Sequence, residues 1–159
     1  MQKIIKCFSG ALLAAALSAC ASTENKVDDY VGEISQQQLL TDYAVFANGH
    51  SSFALTEVQK NQLTALPRGT SLEVYFGTWC HDSEREVPRL LKAFAQRPDI
   101  PVTMYALDYH KLDPDGRAED AGVKFTPTII VKFKGQEMGR IIERPKINLV
   151  ADISAMFDR

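Results

Sequence analysis

The chain carries a cysteine, Cys80, at the point where a strand pattern changes into a helix pattern. Residues 71–76 form a short run of β-branched and aromatic character, which predicts a strand. After the cysteine, Val87, Leu90 and Phe94 recur at helical spacing, which predicts a helix. Cys80 is therefore expected at the start of a helix, where free N–H groups and the helix dipole favour the reactive thiolate. An inert, half-buried cysteine would also fit this place.

The N-terminus has the pattern of a cleaved leader. Lys3 and Lys6 precede an apolar run at residues 8–17, and small residues then lead to Cys20. The run is too short to span a hydrocarbon core of ~30 Å. Residues 1–19 are therefore predicted to be a signal peptide, and Cys20 is predicted to carry a lipid anchor. A buried N-terminal helix is the alternative.

This leader resembles those of bacterial lipoproteins, which implies attachment to a membrane of the cell envelope through the lipid. Ala21 and Ser22 follow the cysteine, and neither is the aspartate that retains such proteins on the inner membrane. The outer membrane, on its periplasmic face, is therefore the expected location. Residues 20–34 are read as the lipidated cysteine and a polar tether with a reach of roughly 20 Å.

The cysteine count favours a functional thiol. Cleavage would remove Cys7 and acylation would occupy Cys20, so Cys80 would remain as the one free thiol, without an intramolecular disulfide partner. A structural thiol left unpaired in an oxidising compartment is unusual.

Charge and ligand spacing argue against two other classes of function. The formal net charge is −2, and loss of the two leader lysines would make the protein more acidic, which argues against a nucleic-acid partner. His81 directly follows Cys80, and no second ligand pair has zinc-site spacing, so neither a metal nor another cofactor is expected.

Trp79, Cys80 and Ser83, followed by Pro88 and later by Pro127, resemble the active-site pattern of the thioredoxin superfamily. The resemblance covers roughly residues 69–157. It implies that Cys80 is the nucleophile and Trp79 its flanking aromatic. It also implies that Pro88 kinks the first helix and that Pro127 is a cis-proline lying against the sulfur.

Two residues depart from the superfamily pattern. Ser83 stands at the place of the resolving cysteine, and Val74 stands where classical thioredoxins have a buried aspartate. Without the second cysteine, the resemblance does not imply dithiol redox cycling. Ser83 is instead expected to donate a hydrogen bond to the thiolate.

The resemblance also suggests which residues contact a substrate. The expected contact residues are Trp79, His81, Asp82, Thr126, Pro127 and Arg144. Asp82 opposes the thiolate when it is ionised, and His81 favours it when protonated. Arg144 follows the last strand and lies either near the thiol or elsewhere as an ordinary surface arginine.

The predicted fold class is α/β, with a thioredoxin-like domain at residues 69–159. Its strands would form a four-stranded mixed sheet flanked by helices, closed by a hairpin and a final helix over residues 147–157. Residues 35–68 are predicted as an N-terminal helical extension of two helices, broken at residues 48–52, the second capped by Thr56. A first strand before these helices is not visible in the sequence.

Three functions remain open from the sequence. The first is monothiol exchange with protein or small-molecule thiols and disulfides, in which an external thiol releases the mixed disulfide. The second is a binding module without turnover, which offers free backbone groups of the cis-proline loop to an extended peptide. A peroxidase is less favoured, because peroxiredoxins have threonine three residues before the cysteine, where this chain has Gly77.

Overall fold

A computed structural model describes residues 28–158. The predicted signal peptide, the lipidation site Cys20 and most of the predicted tether lie outside the described residues. In chain order the elements are β1 (Gly32–Glu33), α1 (Gln36–Asp42), α2 (Ala44–Ser52), α3 (Glu57–Ala65), β2 (Thr70–Phe76), α4 (His81–Phe94), β3 (Val102–Ala106), α5 (Arg117–Asp120), β4 (Thr128–Phe133), β5 (Gln136–Ile142) and α6 (Leu149–Ala155). None of these helices has the length and apolar character that crossing a bilayer requires.

The sheet is mixed and has five strands in the order β1-β3-β2-β4-β5. The central pair, β2 and β3, is parallel, and the other neighbours are antiparallel. Lys134 and Gly135 join β4 to β5 with positive φ angles of 52° and 83°, as a two-residue hairpin turn requires.

The prediction of four strands was wrong by one, because β1 was missed. Gly32 pairs with Ala106 and Glu33 with Tyr105, which adds β1 antiparallel to β3. Two residues are too few to show the alternation by which a strand is recognised. The buried side chain of Ile34 follows them directly, so the end of the predicted tether is part of the folded domain.

Alternation along the strands divides the core between the two faces of the sheet. Leu72, Val74 and Phe76 of β2 face a large apolar cluster shared with α1 to α4 and α6. Tyr75 faces the opposite side, where it packs in a smaller cluster with Ala118 of α5. Helices on both faces, as predicted, therefore enclose a sheet whose centre is β2.

The N-terminal helices number three where two were predicted. Asn48 and Gly49 lie inside α2, and the chain breaks at the extended residue Tyr43 and again after Ser52. A Cβ atom on Gly49 would lie 2.8 Å from Cγ of Pro88, so this glycine allows α2 to approach α4 closely. Thr56 caps α3 through a capping box, as predicted.

Candidate functional site: the Cys80 thiol

Cys80 is the N-cap of α4, at the predicted junction between strand and helix. Strand β2 ends at Phe76, and the Cys80 N–H donates to the Gly77 carbonyl at 3.1 Å, which closes the connecting turn. The cysteine carbonyl then accepts the first helical hydrogen bond, from Glu84 N–H at 2.9 Å. The half-buried thiol thus lies beside the positive end of the longest helix in the described chain.

The thiol touches the loop that precedes β4. Its S–H donates to the Thr126 carbonyl oxygen at 3.2 Å, and the Thr126–Pro127 peptide bond is cis. Both residues are buried. The expected cis bond before Pro127 and the position of the Thr126 backbone beside the sulfur are therefore confirmed.

Ser83 does not make the hydrogen bond expected of it. Its fully buried hydroxyl oxygen accepts from Gly77 N–H at 3.2 Å, and within residues 28–158 no hydrogen bond joins it to the Cys80 sulfur. In this position the serine ties the first turn of α4 to the end of β2. Its contribution is to fix the turn that presents Cys80.

The loop after β5 completes the surroundings of the thiol. Glu143 adopts a positive φ of 59° and donates its N–H to the Pro127 carbonyl at 2.7 Å. This contact places Arg144, whose guanidinium donates to the Asp82 carboxylate at 3.1 and 3.2 Å. Arg144 therefore reaches the first turn of α4 with a side chain that remains 69% exposed, and its polar contact there is with Asp82.

Two arginines compensate the charge of Asp82. Arg85 donates to the same carboxylate oxygen at 2.7 Å. Burial raises the pKa of Asp82, but the hydrogen bonds and charges of Arg85 and Arg144 outweigh it and lower the pKa overall. The repulsion between this carboxylate and a thiolate, which the sequence suggested, is therefore reduced by the two neighbouring cations.

His81 is exposed to solvent. Its side chain is 95% accessible, and Nδ1 lies 3.0 Å from the Glu84 carboxylate. The hydrogen bond to Glu84 raises the pKa of His81. Among the described residues the polar contact of His81 is with Glu84. No direct contact between His81 and the thiol therefore supports the expected effect on the thiolate.

Trp79 forms an aromatic wall next to the thiol. Its indole N–H donates to the Leu107 carbonyl at 3.0 Å, and its ring stacks on Tyr109 with centroids 4.5 Å apart. The Lys111 ammonium lies 5.3 Å from the indole centroid. A Cβ atom on Gly77 would come within 2.5 Å of the indole, so only glycine fits beneath the ring.

Family comparison is consistent with this geometry. Residues 30–153 match the model of a thioredoxin family. The chain belongs to the thioredoxin family. The match begins at residue 30, so it includes the three N-terminal helices and β1 as well as the Cys80 region.

Two solved structures share the fold of this thioredoxin-family chain. A crystal structure of an HIV epitope scaffold is 20% identical, with a TM-score of 0.60, and the alignment covers 74% of this chain and 85% of the scaffold. A protein of unknown function from Pseudomonas aeruginosa is also 20% identical, with a TM-score of 0.59, covering 74% of this chain and 84% of that one. Comparison with curated protein sequences gave no match.

The thioredoxin-family site of this chain holds one cysteine and no cluster suited to a metal. Among residues 28–158, Cys80 is the only cysteine, and no group of three His, Cys, Asp or Glu side chains is arranged to hold a metal ion.

Sequence reasoning missed two residues that contact the segment just before Cys80 or each other, Tyr109 on the Trp79 ring and Asp29 at Thr78 and Tyr109. Tyr109 follows β3, and parallel strands β2 and β3 end at the same edge of the sheet, so residues after both strands meet there. That rule could have placed Tyr109 beside Trp79. Asp29 had no such signal, because it precedes a strand of only two residues.

Proposed function

We propose that this thioredoxin-family protein carries out monothiol thiol–disulfide exchange through Cys80. The observation that carries the proposal is the half-buried Cys80 sulfur at the N-cap of α4, 3.2 Å from the Thr126 carbonyl beside the cis-proline. Ser83, buried three residues later, leaves the site without a second thiol.

The exchange has two balanced steps. The Cys80 thiol loses its proton to water, and the thiolate attacks one sulfur of a substrate disulfide. A new S–S bond forms, the substrate S–S bond breaks, and the other substrate sulfur leaves as a thiolate. An external thiolate then attacks the substrate sulfur of the mixed disulfide and regenerates Cys80 as the leaving thiolate.

The surrounding groups have defined tasks in this scheme. Amide N–H groups at the start of α4 carry partial positive charge that stabilises negative sulfur. Once the S–H donor is lost, the Thr126 carbonyl is available to accept a backbone N–H from an extended peptide. Arg85 and Arg144 keep the Asp82 charge compensated beside the reacting sulfur.

The proposed place of action is the bacterial cell envelope. The leader pattern and Cys20 support a lipid anchor, with the domain facing the periplasm from the outer membrane. Fractionation of cells producing Cys20→Ser tests this: we expect the protein to be released from membranes or left unprocessed. Normal cleavage together with unaltered membrane attachment would contradict the anchor.

Trapping in cells tests the exchange function itself. Cells producing the full chain are treated with acid and alkylated, and mixed disulfides are then separated without reductant. We expect reductant-sensitive adducts with the parent protein and none with Cys80→Ala. If the parent forms no adducts and Cys80→Ala preserves the cellular role, the non-catalytic binding module becomes the better account.

A further inference from the structure

Asp29 accepts hydrogen bonds from two residues next to Trp79, which are Thr78 in the chain and Tyr109 in space. The Thr78 hydroxyl donates to one oxygen of its carboxylate at 3.2 Å, and the Tyr109 hydroxyl donates to the other at 3.0 Å. Thr78 directly precedes Trp79, and the Tyr109 ring stacks on the indole at 4.5 Å. One carboxylate therefore joins the turn that carries Trp79 to the ring that packs on it.

The segment around Asp29 is held in place on both sides. Tyr30 N–H donates to the Thr78 hydroxyl oxygen at 3.3 Å, and the Tyr43 hydroxyl donates to the Asp28 carbonyl at 2.7 Å. Directly after it, β1 pairs with β3. Because these contacts fix the backbone, the Asp29 carboxylate has a defined position relative to the wall.

Tyr109, the second hydrogen-bond donor to Asp29, lies on a turn that is held by hydrogen bonds between neighbouring residues. The Asp108 carboxylate accepts from the N–H groups of His110 and Leu112 at 2.8 and 2.9 Å. This turn fixes the backbone of Tyr109, and the residue remains 60% exposed. The hydrogen bond to Asp29 raises the pKa of the Tyr109 hydroxyl, because ionisation would place two negative charges together.

Two exposed aromatic residues belong to the segments that carry the contacts of the thiol and of Trp79. Tyr109 extends the face of Trp79, and Phe125, which is 52% exposed, lies one residue before the Thr126 carbonyl that touches the sulfur. Such surface suits the apolar and peptide groups next to a substrate cysteine. A small aliphatic disulfide would use little of it.

We propose that Asp29 is a positioning residue of the Cys80 site, whose carboxylate holds the Trp79–Tyr109 stack as a wall for the peptide chain of a disulfide substrate. The proposal rests on the proposed exchange function. Asp29 makes no contact with the sulfur among the described hydrogen bonds, so its effect is on peptide substrates and leaves the intrinsic reactivity of the thiol unchanged.

The first readout is the fluorescence of Trp79, the one tryptophan in the sequence. Asp29→Ala removes both hydrogen bonds, and Tyr109→Phe removes one while it keeps the ring. We expect acrylamide to quench Trp79 more strongly in both variants than in the parent. The matched control is Asp28→Ala, which makes the same charge change one residue away, where the recorded contact is through the main-chain carbonyl.

The second readout is the rate of exchange with two disulfides. One is a peptide in which the disulfide is flanked by apolar residues, and the other is 2-hydroxyethyl disulfide. Loss of a hydrogen bond to a charged group predicts that Asp29→Ala slows the peptide reaction about tenfold. The reaction with 2-hydroxyethyl disulfide and alkylation by iodoacetamide should keep parental rates in Asp29→Ala and Tyr109→Phe.

The outcomes separate the two proposals. Parental quenching and parental peptide rates in both Asp29→Ala and Tyr109→Phe would overturn the positioning role while the exchange function stood. A parent that exchanges with neither disulfide would remove the exchange function and, with it, the role of Asp29 toward substrate. Equal slowing of all three reactions would assign the effect to the thiol and contradict a wall for peptide.

Discussion

At the scale of single residues, the Asp82 carboxylate at the first turn of α4 accepts hydrogen bonds from two arginines. Arg85 lies one helical turn away, whereas Arg144 arrives from the loop after β5. The local motif around Cys80 and Pro127 could be predicted because its residues are adjacent in sequence. The Arg144 contact could not be chosen over a free surface position, since residues 82 and 144 meet only in the folded chain.

The charges around Asp82 predict a pH-dependent contribution to stability. Because folding lowers the pKa of Asp82, its ion pairs stabilise the fold above the ordinary value of 3.8, and this contribution is lost as the pH falls through the lowered pKa. Exposure of Arg144 limits its size, so Asp82→Asn should lower the free energy of unfolding near neutral pH by about 0.5–1 kcal/mol.

Urea unfolding of the parent and of Asp82→Asn, measured from neutral to acidic pH, checks this. The difference in free energy of unfolding between the two proteins should disappear as Asp82 becomes protonated. Asp115→Asn is the control, because its pair with Arg117 is more exposed and should change stability little. If this difference in free energy stayed constant down to about pH 2, the ion-pair explanation would be contradicted.

At the scale of elements, the contact between α2 and α4 explains where the helix prediction failed. Asn48 and Gly49 indicate a break by local propensity. Gly49 instead faces Pro88, and the small residue brings the two helices into contact. Tertiary packing thus outweighed a local preference, which a single sequence does not reveal.

The Gly49–Pro88 contact predicts that Gly49→Ala destabilises the protein. A methyl group 2.8 Å from the proline ring would force the helices apart. The overpacking cost of about 1–3 kcal/mol equals or exceeds the gain of roughly 1 kcal/mol that alanine brings to a helix interior. Thermal and urea unfolding measure the difference. The control Asn48→Ala, on the exposed side of α2, should be neutral or slightly stabilising, and a more stable Gly49→Ala would refute the contact.

At the scale of the molecule, the sheet extends to the first residues described. The central strands, the hairpin and the last helix were predictable because their apolar residues alternate or recur over several positions. Strand β1 was not, since it has only two residues and its pairing with β3 is long-range. Residues 28–34 thus belong to the folded domain, with Ile34 in the large core cluster.

Ile34→Ala tests whether this N-terminal segment is part of the cooperative fold. Ile34 is 3% exposed, so its truncation should cost about 2–4 kcal/mol in the free energy of unfolding. Val31→Ala is the matched control, because Val31 is 37% exposed and its truncation should cost far less. Equal, small effects of the two variants would mean that the segment is not integral to the domain.

The central claim is that Cys80 forms a mixed disulfide that the protein does not resolve by itself. Intact-mass measurement after incubation with a disulfide-bonded peptide tests it most directly, with fragment masses locating the adduct. We predict one peptide on Cys80 that stays until an external thiol is added. Ser83→Cys should release the peptide without an external thiol and keep a disulfide between residues 80 and 83. The reason is that the buried position of Ser83 would then hold a resolving thiol. Absence of an adduct on Cys80, or its spontaneous release from the parent protein, would contradict the account.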